Sequence, residues 1–110
     1  MLGPPEGESG ELRLIQMAGA PGSGKSTLAA ALGRQLGLIV VDKDLVKSAL
    51  LGQEVAWEAA GRAAGEVCYE LARSLLAQGH SVILDGPSHY PEIPVRGLAL
   101  ARGAGARYRL

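Results

Sequence analysis

The chain has 110 residues, a formal net charge of zero, 47% hydrophobic residues and a single cysteine. That length leaves room for one domain. The balanced charge argues against a basic nucleic-acid binder or an acidic tail, and no apolar stretch approaches a membrane span or a signal-peptide pattern. Cys68 has no second cysteine to pair with, which fits a reducing, cytoplasmic setting. With no phenylalanine, Leu, Val, Ile and Ala must build the core.

Residues Met1–Glu11 are rich in Gly, Pro and Glu and read as a disordered lead-in, leaving 12–110 as the folded core. Leu12–Ala18 is an apolar-rich run of strand length. Gly19–Thr27 then reads G-A-P-G-S-G-K-S-T. It contains the full G-x-x-x-x-G-K-[ST] pattern at Gly19, Gly24, Lys25 and Ser26. Glycines let successive backbone N–H groups turn inward, and the nest they form lies at the positive end of the following helix. Gly19, Ala20, Pro21, Gly22, Ser23, Gly24, Lys25, Ser26 and Thr27 are therefore expected to cradle a nucleoside triphosphate, ATP with Mg²⁺. Lys25 would reach the β- and γ-phosphates, and the Ser26 hydroxyl would hold the metal. A glycine-rich turn with no ligand is the alternative, and the strand before and helix after the loop weigh against it.

Downstream, Leu28, Ala31, Leu32 and Leu36 recur at helical spacing and Gly37 is a stop. Leu38–Val41 reads as a buried strand ended by Asp42-Lys43-Asp44. A short helix is expected over Leu45–Leu51 and a long one over Glu54–Gln78. On the long helix Val55, Ala59, Ala63, Val67, Leu71 and Leu75 follow i+4 steps, with Ala56, Ala60, Ala64, Cys68 and Leu76 beside them, a break possible at Gly61 or Gly65, and Gly79 as its stop. Ser81–Asp85 is the third strand and Gly86–Pro94 a loop. Arg96–Arg102 is a further helix stopped by Gly103 and Gly105, and Arg107–Leu110 opens a fourth strand. Such alternation implies an α/β fold: a parallel sheet covered by helices on both faces, with ligands at the C-terminal strand edge.

Three carboxylates fall on that edge. Asp85 ends an apolar strand, where a Walker-B carboxylate would orient Mg²⁺; capping the following turn is the alternative. Asp42 and Asp44 sit two apart, so in extended chain both would point to one side. One could lie near the metal while the other accepts a hydroxyl proton; a solvated turn with a helix N-cap is the alternative. Lys43 and Lys47 read as exposed lysines, although they could attract an anionic acceptor. Trp57 and Tyr69 read as packing residues, His80 as a helix cap, and His89 and Tyr90 as loop. Arg96 is open between charge neutralisation and a surface pair.

The P-loop, the D-K-D-L-V-K run at 42–47 and V-I-L-D-G at 82–86 together resemble the small P-loop kinases of the AAA-type ATP-binding, zeta-toxin-like group. Shikimate, gluconate and polynucleotide kinases are more distant relatives. The resemblance covers nearly all of the chain after residue 11. It implies a P-loop NTPase three-layer αβα fold and transfer of the γ-phosphoryl group of Mg-ATP to a hydroxyl of a small acceptor. On the family's D-x-D-x-x-[KR] element it assigns Asp44 as base and Asp42 as a metal or acceptor ligand, with Lys47 where many members carry Arg. Such kinases continue past strand four into an arginine-bearing lid. The core is accordingly expected to be truncated after the start of the fourth strand, with an uncovered sheet edge open to self-association. An ATP-binding module without kinase activity, or a toxin-type kinase acting on a nucleotide sugar, are the competing expectations. GTP is disfavoured because no N-K-x-D element is present.

Overall fold

The computed structural model describes residues 11–17, 25–86 and 92–109, without the side chains of residues 25, 26 and 92–94. Residues 1–10 of the expected lead-in, the loop glycines Gly19, Gly22 and Gly24, and His89 and Tyr90 lie outside the described residues. Among the described residues four strands and four helices follow in the order β1 (Arg13–Met17), α1 (Lys25–Leu36), β2 (Ile39–Asp42), α2 (Lys43–Gly52), α3 (Trp57–Ala77), β3 (Val82–Asp85), α4 (Glu92–Ala104) and β4 (Arg107–Arg109). The strands form one parallel sheet in the order β2-β3-β1-β4.

The sheet's two faces follow from strand alternation. Leu14, Val82, Leu84 and Val41 join Cys68, Tyr69, Ala72 and Leu76 of α3 and Ala101 of α4 in one core cluster. Ile83, with Ile15, Met17 and Val40 beside it, joins Ala29 of α1 and Leu38 on the other side. Helices thus cover both faces, as a three-layer αβα fold requires. Met17, Asp85 and Asp42 stand in one row across β1, β3 and β2, which brings the chemistry-bearing ends of three strands to one edge.

Several expectations move. α3 runs unbroken through Gly61 and Gly65; burial of its face offsets the helix penalty of ~1 kcal/mol per glycine. Its buried stripe is Ala60, Ala64, Cys68, Ala72 and Leu76, with Tyr69 beside it. Ala60, Ala64, Cys68 and Leu76 belong to the row expected beside the i+4 series, while Val67 and Leu71 of that series stay exposed. The helix starts at Trp57, because Glu54 takes φ 65° and turns the chain there. Trp57 is 65% exposed and does not pack into the core. α4 starts at Glu92, since Pro94 falls in the first turn, where no intrahelical N–H bond is due. It runs past Gly103 and stops at Gly105 (φ 72°). The α3 stop is a backbone one: the N–H groups of Gly79 and His80 donate to the Leu76 and Leu75 carbonyls, each at 3.0 Å.

Candidate active site

The site grows from the row of strand ends. β1 ends at Met17 and α1 begins at Lys25, so the nonamer joins a central strand to a helix N-terminus, the context its phosphate chemistry needs. No acidic residue lies in the first turn of α1 to oppose an anion. Thr27, in that turn, is exposed. The other nucleotide-site expectations fall on residues 19–24 and on the Lys25 and Ser26 side chains, outside the description.

Asp85 occupies the end of β3, beside Met17, and is 2% exposed. A carboxylate that deep at a strand end has hard-cation donor chemistry and fits Mg²⁺, which takes few protein ligands and completes its shell with water and phosphate oxygens. Among the described residues no three His, Cys, Asp or Glu side chains converge into a separate metal cage.

Asp42 and Asp44 do not share an extended segment. α2 begins at Lys43, two residues earlier than its pattern suggested, so Asp44 is already helical. Asp42 itself causes this. Its Oδ1 accepts from the N–H groups of Asp44 at 2.9 Å and Leu45 at 3.4 Å, closing the first turn as an N-cap. The argument that both carboxylates point to one side of a strand therefore fails. The structure instead makes Asp42 the anchor of the turn that carries exposed Asp44.

The helix start also relocates Lys43. It is half-buried, and the base of its side chain lies so close to Gly86 that a Cβ at 86 would stand 2.4 Å from the Lys43 Cβ. Only glycine fits there. The side chain then reaches α3, where its Cε and Nζ stand 3.9 Å from the place of a Cβ on Gly65. Lys43, Gly65, Gly86 and Asp85 line one small pocket between the sheet edge and α3, floored by Gln16 and Cys68. Burial pushes the Cys68 thiol up to about 11, with nearby Lys43 pulling it down and Asp42 pushing it up. That thiol is protonated at neutral pH and is no nucleophile.

Sequence reasoning missed a polar brace beneath the pocket. Gln16, 4% exposed, donates to the Tyr69 hydroxyl at 3.0 Å and accepts from the Tyr108 hydroxyl at 2.9 Å. Burial raises the Tyr108 pKa, with Tyr69 adding to the rise. The Arg96 guanidinium lies 4.1 Å from the Tyr69 ring centroid and forks onto Glu66, with Nη2 to Oε1 at 3.0 Å. The hydrogen bond from Arg96 holds the Glu66 carboxyl below its ordinary value, and charge attraction adds to it against partial desolvation. Arg96 is therefore a surface pair stacked on an aromatic ring. Lys47 is not simply solvated either: its Nζ stands 3.8 Å from the centroid of Trp57. The only sequence signal for the brace was a Gln inside an otherwise apolar strand.

A family model described as an AAA domain matches residues 14–110. The chain belongs to this AAA-domain family. No curated protein matches it. Among solved structures, a candidate kinase from Chloroflexus aurantiacus j-10-fl is similar at 25% identity and TM-score 0.77, over 89% of this chain and 56% of that one. The APS kinase of Mycobacterium tuberculosis bound to AMPPNP and APS is similar at 25% identity and TM-score 0.69, over 89% of this chain and 60% of that one. A mutant form of the same APS kinase matches at 23% identity and TM-score 0.69, over 89% and 72%. The fold of this AAA-domain protein is thus that of P-loop kinases, as its motifs implied, and the chain spans 56% of the first of these structures. No helix among the described residues is long and apolar enough to cross a membrane.

Proposed function

We propose that this AAA-domain protein is an ATP-dependent phosphotransferase that moves the γ-phosphoryl group of Mg-ATP to a hydroxyl of a small acceptor. The observation that carries the reading is the row Met17–Asp85–Asp42, which brings the nonamer, a buried carboxylate and the α2 turn to one edge. Lys25 and the loop amides bind the phosphates, and Ser26 and Asp85 would hold Mg²⁺. Bound there, the ion neutralises charge on the phosphates. Asp44, exposed on the first turn of α2, accepts the proton of the attacking hydroxyl. Asp42 supports it by fixing that turn. A cytoplasmic location rests only on the lone cysteine. The APS kinase likeness supports the reaction class and leaves the acceptor open.

The test is Asp44→Asn, assayed for acceptor-dependent ADP release across a panel of hydroxyl metabolites. Loss of a general base costs about 10²–10⁴-fold in turnover, with AMPPNP affinity unchanged. Unaltered transfer in Asp44→Asn would sink the base assignment. The competing reading, an ATP-binding module, draws on the capping role of Asp42, a purely structural use of one of the two carboxylates. It predicts nucleotide binding with no acceptor-dependent ADP release at all.

A further inference from the structure

Helices cover the two faces of the sheet unequally. On one face α3 packs on β2 and β3, and α4 on β1 and β4. On the other, α1 packs chiefly on β2 and β3, and no described helix lies over β1 and β4. Strands stand ~4.8 Å apart and packed helices about 8–10 Å apart, so one helix spans two strands. The bare half-face is therefore one helix wide, the counterpart of the place that α4 fills opposite. Strand alternation decides its lining. Leu14 and Tyr108, paired in register, turn toward the α3 and α4 side. Arg13, Ile15 and Met17 of β1 and Arg107 and Arg109 of β4 thus turn to the bare side, where Ile15 and Met17 are only half-buried.

The wall on the α1 side is apolar as well. Gly33 faces β2, because a Cβ on it would stand 2.9 Å from Val40 Cγ2. Leu28, Leu32 and Leu36 repeat at i+4 on the opposite flank of α1, toward β1, and Leu28 and Leu36 are exposed. The result is a groove with an aliphatic floor and wall and a rim of arginines along β4. An exposed apolar strip rimmed by polar groups marks a contact surface. The rim accepts carboxylates: Arg107 Nη1 stands 3.4 Å from Glu11 Oε1. Two copies of this face would not suit each other, since arginines would meet arginines and α1 offers Arg34 and no carboxylate.

We propose that this groove docks an amphipathic helix of another polypeptide, its aliphatic stripe against Ile15 and Leu28 and a row of carboxylates against Arg107 and Arg109. Apolar contact along the groove supplies the seat, and the arginine rim selects the partner by charge. The docked helix completes the packing of α1, the helix that the P-loop opens. The proposal does not depend on the phosphotransferase reading.

The experiment follows the fluorescence anisotropy of labelled, hydrocarbon-stapled helical peptides titrated with the full chain. Two peptides share one leucine stripe; one carries glutamates along a flank of it and the other lysines at the same places. The expected result is saturable binding of the glutamate helix, with the lysine helix weaker by about tenfold or more. Arg109→Glu, at an exposed position, is expected to weaken the glutamate helix about tenfold and to strengthen the lysine helix. Leu28→Glu is expected to weaken the glutamate helix as well. Equal affinity of wild type for the two helices overturns the proposal and leaves the arginines as protection of an edge strand. Absence of binding by the glutamate helix overturns it too, as does unchanged affinity in both variants. Should Arg109→Glu fail to fold, the comparison of the two helices on wild type still decides. Sedimentation of the chain alone addresses the other occupant. A dimer that Leu28→Glu dissociates and that the glutamate helix does not displace would give the groove to a second copy and overturn the proposal.

Discussion

The two faces of the sheet are built on different scales. Against α3 and α4, nine buried residues from Leu14 to Ala101 form one cluster, and the Tyr108–Gln16–Tyr69 chain ties β4, β1 and α3 together beneath it. Against α1 the buried cluster is Ala29, Leu38 and Ile83, while Leu28 and Leu36 are 52% and 39% exposed. Among the described residues, the α1 face thus carries little packing of its own and the α3 face much more. A ligand that binds only the folded state adds its own free energy, so the thin face is where nucleotide should stabilise most.

Lys25→Ala tests that division hardest. It is expected to weaken Mg-AMPPNP binding roughly 100-fold, or about 2.7 kcal/mol, in a calorimetric titration. The melting temperature without nucleotide should stay where it was. A fall of several degrees in the unliganded protein would mean that the loop supports the α1 face by itself.

Core truncations come next. Leu76→Ala, on the thick face and 1% exposed, is expected to cost about 2–5 kcal/mol in urea unfolding. Leu32→Ala, only partly buried against the α1 cluster, should cost less than half of that. Equal losses would erase the distinction between the faces.

Gly97→Ala probes the brace. A Cβ there would stand 2.3 Å from Gln16 Oε1 and 2.5 Å from the Tyr108 ring. The expected cost is about 1–3 kcal/mol, with faster hydrogen exchange in β4 as the specific sign. Protection of β4 amides equal to wild type would show that the brace yields without loosening the strand.

Acid titration gives the smallest effect. Glu66 is held below its ordinary 4.5 by Arg96, so its contribution is fully present above that pH and is lost as pH falls through the lower folded value. The stability gap between wild type and Glu66→Gln should therefore close below pH 4.5. An exposed pair of this kind contributes modestly. A gap that persists at low pH would assign the effect to stacking of Arg96 on Tyr69 instead.

Element order was legible because β1, β2 and β3 fall in short apolar-rich runs and most helices end at a glycine; Gly37, Gly79 and Gly105 all take positive φ. That the nonamer would join β1 to α1 and that Asp85 would end β3 was legible because both rest on a fixed local pattern. What stayed hidden depends on a few degrees of rotation or on groups far apart in sequence. The α3 stripe is Ala-rich on both candidate faces, so composition could not say which one turns inward. The Asp42 cap competes with strand continuation over a single residue, and its outcome decides whether Lys43 belongs to strand or helix. Contacts such as Tyr108 to Gln16, across 92 positions, leave no trace in local spacing.

Trp57 has a practical consequence. It is the sole tryptophan of the chain, it is largely exposed, and the Lys47 ammonium lies on its ring one helical turn after Asp44. The protein therefore carries a built-in optical reporter. Movement of α2 against α3 as the site fills would shift that cation, and the intrinsic emission of one indole would register the event without any label.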